Sequence, residues 1–166
     1  DLASTKYAPF DQIDHSNVAN LQQAWSWASP DNATVAANHA AENFRATPGA
    51  FKSTPIAING ILYISTSFGR VAAIDGVSGQ ELWVFDTESW QAGRPANLGY
   101  NHRGVSYWSD GTAERIIMLS NDAWMWSIDA KTGQLDTSFG DNGKVDLAQG
   151  LGREIDRRAY TMIAAP

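Results

Sequence analysis

The apolar positions of this chain fall in short β-rich runs divided by turns. Ile61-Leu62-Tyr63-Ile64 is one run, Ser67-Phe68-Gly69-Arg70 turns the chain, and Val71-Ala72-Ala73-Ile74 is a second run. Asp75-Gly76-Val77-Ser78-Gly79 then puts a side-chain acceptor at the head of a turn and a glycine where positive φ is needed. Glu81-Leu82-Trp83-Val84-Phe85 leaves as a third run. The pattern returns at an offset of 54 residues, where Asp129-Ala130-Lys131-Thr132-Gly133-Gln134 matches Asp75 to Gln80 and Arg115-Ile116-Ile117-Met118-Leu119 falls on the Ile61 run without a gap. Its closing half stands upstream as Leu21-Gln22-Gln23-Ala24-Trp25, with Trp25 preceding Trp83 by 58 residues.

Repeats of about 40 to 55 residues, each holding several short strands and a recurring Trp or Gly turn, belong to β-propellers more often than to other architectures, with a plain β-sandwich as the alternative. The predicted fold class is therefore all-β, a single partial propeller over residues 1–166. Residues 1–50 form an N-terminal segment with one helical turn near Asp11 to Leu21, an outer strand of a first blade at Leu21 to Trp27, and a loop from Ser29 to Ala50. Residues 51–90 form one blade, with a hairpin turn at Asn59-Gly60, and residues 91–145 form the next, with Leu135 to Phe139 as its outer strand. Residues 146–166 are a loop and the start of a further blade.

The composition adds exclusions. The chain has 166 residues, 43% hydrophobic and 18% charged, enough to bury a core, and a net charge of −6 that argues against a nucleic-acid partner. The absence of cysteine removes disulfides, thiolate metal sites and cysteine nucleophiles. His15, His39 and His102 have no metal-ligand spacing, so no metal ligand is expected in this stretch. No Gly-x-Ser-x-Gly, Gly-x-Gly-x-x-Gly or P-loop pattern occurs.

In a propeller the segments leading into the first strand of each blade converge near the axis. Three can be named: Phe51 to Thr54, Asn97 to Arg103, and Ala159 to Ala165. The first two bring Lys52 and Arg103 to adjacent positions, which reads equally as an anion site or as two exposed cations.

Tyr7-Ala8-Pro9-Phe10-Asp11-Gln12-Ile13 with Asn17-Val18-Ala19-Asn20-Leu21, Thr54-Pro55, His102-Arg103-Gly104-Val105-Ser106-Tyr107-Trp108 and Ser138-Phe139-Gly140-Asp141-Asn142-Gly143 together resemble the quinoprotein dehydrogenases. The resemblance implies an eight-bladed propeller holding pyrroloquinoline quinone and calcium. It also implies a periplasmic enzyme, with any membrane association carried by parts outside this chain, that oxidises sugars, polyols or alcohols and passes electrons to a quinone or cytochrome. This chain would be its N-terminal portion, inactive without the remainder of the propeller. A non-enzymatic periplasmic scaffold with the same repeat is the alternative. The resemblance assigns cofactor binding to Arg103, and to Lys52, His102 and Thr161 beside it; Lys52 stands where the family usually has glutamate. Calcium ligands and the catalytic aspartate are expected beyond Pro166, so no catalytic residue is assigned here. Asn97 and Leu98 replace the adjacent cysteines of methanol- and ethanol-oxidising members, a pattern closer to the glucose and polyol branch. Gly99 replaces the substrate-side histidine of the membrane glucose enzymes.

Overall fold

Short β-rich runs with tight turns between them have only one economical way to satisfy their backbone groups, which is to pair each run with the next. A computed structural model, describing residues 10–41, 46–96 and 98–166, shows that outcome as two four-stranded antiparallel sheets. The first is β1 (Ile56–Ile58), β2 (Ile61–Ser65), β3 (Arg70–Asp75) and β4 (Glu81–Asp86), in chain order. The second is β5 (Ser106–Ser109), β6 (Glu114–Leu119), β7 (Trp124–Asp129) and β8 (Lys144–Asp146), again in chain order. Tyr63 faces Ala73 in one sheet and Ile117 faces Ser127 in the other, so the sequence repeat is also a repeat of register.

Alternation along the strands decides what each face meets. Tyr63, Val71 and Ala73 point toward the second sheet and share a core with Val105, Ile116, Met118 and Ile128. Leu62, Ile64 and Ile74 face the other way and line an apolar groove with Trp25 and Trp27.

The repeated turn and the repeated tryptophan form one joint. Asp129 accepts hydrogen bonds from the backbone and hydroxyl of Thr132, each at 2.8 Å, as Asp75 does from Ser78 at 2.7 Å. The turn ends in Gly133 at φ 71°, and the Trp83 ring lies where a Cβ would stand, 2.6 Å from its Cδ2. Trp83 Nε1 donates to Ala130 O at 3.1 Å. Trp25 makes the same joint one unit earlier, over Gly79 and onto Gly76 O at 3.1 Å. Gly133→Ala combines a left-handed residue with a displaced indole and is expected to cost about 2 to 3 kcal/mol. Faster amide hydrogen exchange across residues 129–134 in the complete protein is the measurement, and unchanged protection there would count against the joint.

The segment Leu21 to Trp27, expected as the outer strand of a first blade, pairs into no sheet among the described residues and is held by its indoles, with Trp27 Nε1 on Glu81 at 2.9 Å. Two parts of the expected layout differ. The expected loop from Ser29 contains a helix, α1 (Asp31–Ala40), which lacks an apolar stripe but is rich in alanine and opens after Pro30. Leu135 contributes a single bridge to Ile128, because Asp136 captures Ser138 N and Oγ and turns the chain; the outer strand forms later, as β8. The Asn59-Gly60 hairpin stands as expected, with both residues at positive φ, and the helical turn is Val18–Asn20. Tyr7-Ala8-Pro9 and Asn97 lie outside the described residues.

Candidate functional site

The three lead-in segments run side by side. Thr54 N donates to Arg103 O at 3.0 Å, Arg103 N donates to Ile163 O at 2.8 Å, and Thr54 pairs with Gly104 in a parallel bridge. Antiparallel meanders cannot make such contacts within one sheet. They arise where inner edges of successive sheets converge.

Lys52 and Arg103 are exposed on neighbouring lead-ins, and neither side chain has a hydrogen-bond or ion-pair partner among the described residues. Thr161, half-buried, stands two residues before Ile163 on the third lead-in. The structure thus brings together the backbones that carry Lys52, Arg103 and Thr161.

His102 is placed differently from its neighbours. It is 1% exposed, with Nε2 against Leu119 O and Nδ1 at 2.9 Å from Ser65 Oγ and 3.4 Å from Gly104 N. A carbonyl only accepts, so Nε2 carries the proton and Nδ1 is the acceptor. Ser65 then gives its proton to His102 and its oxygen accepts from Ser53 Oγ at 2.9 Å. Burial holds the imidazole below its ordinary pKa, only partly offset by the backbone bonds to Leu119 and Gly104, and keeps it neutral. Ser53 follows Lys52 and His102 precedes Arg103, so this buried chain ties together the residues adjoining the two free cations. With both nitrogens committed, His102 supports the site from behind. Nothing in the sequence marks Ser53 and Ser65, because hydroxyls without a motif carry no signal until the fold aligns them.

The same end of the first sheet is fixed by a second buried network. Arg70, in the strand after the β2–β3 turn, pairs with Asp31 at 2.8 Å and Asp86 at 2.7 Å and donates to Thr34 at 2.8 Å. Asp31 also accepts from Thr66 Oγ1 and Phe68 N, at 2.8 and 3.0 Å. This pins α1 across the turn. Among the described residues no group of three or more His, Asp or Glu could hold a metal.

Two meanders joined by a turn-and-tryptophan lock, with their inner lead-ins converging, are parts of a propeller. A family model for the β-propeller domain of PQQ glucose/ethanol/alcohol dehydrogenases matches residues 1–166. The chain belongs to this family. A quinoprotein glucose dehydrogenase of Gluconobacter oxydans is 33% identical over 87% of this chain and 18% of its own length. Quinohemoprotein alcohol dehydrogenase ADH IIB of Pseudomonas putida is also 33% identical, over 80% of this chain and 16% of its own length. The crystal structure of quinohemoprotein alcohol dehydrogenase from Comamonas testosteroni superposes with a TM-score of 0.63 at 24% identity, covering 94% of this chain and 19% of that one, and shows a shared fold. The chain therefore spans less than a fifth of the length of these family members.

Proposed function

We propose that the complete protein carrying this chain is a dehydrogenase that uses pyrroloquinoline quinone to oxidise the CH–OH group of a sugar, polyol or alcohol, with a quinone or cytochrome as electron acceptor. The observation that carries this reading is the seating of Lys52 and Arg103, exposed and uncommitted, on lead-ins that touch through Thr54 N and Arg103 O. The donor set fits the cofactor, whose three carboxylates call for cations that no protein carboxylate has already taken. When bound, the quinone supplies a two-electron acceptor for hydride.

Within this chain the work is binding and orientation. Arg103 offers a planar fork of donors that fixes both the position and the angle of a carboxylate, Lys52 adds a mobile point charge, and Thr161 adds a hydroxyl. The Ser53, Ser65 and His102 chain keeps the two cationic segments in register. A scaffold without a cofactor would need the turn-and-tryptophan joint but would have no use for two unpaired cations at the convergence. Calcium, held by residues outside this stretch, and a periplasmic location complete the proposal, and both rest on the family likeness.

Titrating the cofactor-free complete protein with pyrroloquinoline quinone tests the reading. Arg103→Ala removes a charge-assisted bond of roughly 1.5 to 3 kcal/mol and is expected to weaken affinity by about tenfold to a hundredfold. Lys52→Glu is expected to weaken it as well, although glutamate is usual in the family at this position, because the pocket around it here is fitted to a cation; equal or higher affinity in that variant would sink this expectation. Wild-type affinity in Arg103→Ala would remove that residue from the site.

A further inference from the structure

The segment following β4 folds back over the end of the first sheet and borders an open cavity of about 620 Å³, to which neither Lys52 nor Arg103 contributes. That size accommodates a small organic molecule. Its floor is aromatic and fixed. Trp90 packs 5.7 Å from Phe68, Tyr100 meets the same ring edge-on at 4.8 Å, and the Tyr100 hydroxyl donates to Trp90 O at 3.1 Å.

Beside the Gln91 amide, which both donates and accepts, the polar side chains of this cavity supply three strong donors, from Trp90, Arg94 and Arg158. Trp90 Nε1 is withdrawn from solvent with no acceptor among the described residues. Arg94 has no ion-pair or hydrogen-bond partner among them either, and it lies over Gly99, where a Cβ would fall 3.1 Å from its Nη2. Burial pushes the Tyr100 phenol up while the charge of Arg94 draws it back, which sets that guanidinium within electrostatic reach of the floor. Arg158 spends Nε and Nη2 on Asp156, at 3.1 and 2.8 Å, and keeps Nη1 unshared. Asp156 is thereby engaged and does not neutralise Arg94. A guanidinium, a spare Nη1 and a buried indole N–H over aromatic rings call for a ligand with an anionic acceptor and a carbon skeleton.

We infer that this cavity binds a small organic carboxylate, through Arg94 and Trp90 and not through Lys52 and Arg103. The inference does not depend on the proposed dehydrogenase activity, since it concerns binding alone. The experiment is isothermal titration of the complete cofactor-free protein with gluconate, and with sorbitol as a neutral ligand of the same carbon count, the gluconate titration being repeated with pyrroloquinoline quinone bound. Gluconate is expected to saturate a site that sorbitol leaves unfilled, with the same affinity in both forms. R94Q is expected to weaken gluconate about tenfold or more, and W90F, which keeps the ring and removes the N–H, about fivefold, with unfolding midpoints unchanged in both. Equal responses to gluconate and sorbitol, wild-type affinity in R94Q, or displacement of gluconate by the quinone would each overturn the assignment.

Discussion

Arg70→Ala is expected to release the helix α1 from the first sheet and to lower local stability by about 3 to 5 kcal/mol, the range for removing one member of a buried ion pair. The size follows from what the substitution leaves behind. Asp31 is 4% exposed and Arg70 7%, so the orphaned carboxylate would keep only Thr66 Oγ1 and Phe68 N as partners, with no cation inside and little water to replace it. The stacking of the guanidinium near the Phe68 and Trp90 rings, at 6.0 and 5.9 Å, is lost as well. Because the complete protein is too large for a single two-state transition, the readout is local hydrogen exchange. Amides of residues 31–40 and 66–70 should exchange about a hundredfold to a few thousandfold faster. Arg70→Met together with Asp31→Leu, which removes both charges, should recover much of the protection. Equal exchange in Arg70→Ala and the wild type would show that the helix is held by something else.

The blades were legible in the sequence because their signals are local. The Asp-x-x-x-Gly turn recurs at Asp75 and Asp129 and is a short-range consequence of side chains capping nearby backbone groups, while Trp25 and Trp83 recur as a sequence pattern although each bonds across to the next turn. The helix α1 was illegible for the opposite reason. Its anchoring residue is Asp31, whose partners Thr66, Phe68 and Arg70 lie 35 to 39 residues away, and nothing in the run from Asp31 to Ala40 announces them. The outer strand of the second unit was misplaced because Thr137 stands where the repeat would put a tryptophan, and the Asp136 turn diverts the chain until Lys144. At the site, Lys52 and Arg103 could be paired from the expected convergence of lead-ins. The interior position of His102 could not, since its acceptor Leu119 O and its donor Ser65 belong to two different sheets.

That position makes His102 the residue whose loss should reach furthest. His102→Ala is expected to cost about 3 kcal/mol, combining a cavity at a fully buried ring with the loss of the imidazole's bonds to the Leu119 carbonyl and the Ser65 hydroxyl, the latter keeping only Ser53. It should also weaken binding of pyrroloquinoline quinone to the complete protein, through the segments carrying Lys52 and Arg103 and without direct contact. The pH dependence separates this role from simple packing. In the unfolded chain the imidazole takes up a proton as pH falls through about 6.5, whereas burial holds the folded-state value lower. The unfolded state therefore binds more protons in that interval. Stability linked to His102 is fully present above about pH 6.5 and is lost as pH falls toward and through the folded-state value. Hydrogen exchange of residues 52–54 and 102–104, compared between pH 7.5 and 5 after correction for intrinsic rates, should show wild-type protection falling more steeply than that of His102→Ala. Parallel pH profiles for the two proteins would mean that the ring is protonated alike in the folded and unfolded states, contrary to the neutral imidazole bridging Ser65 and Leu119.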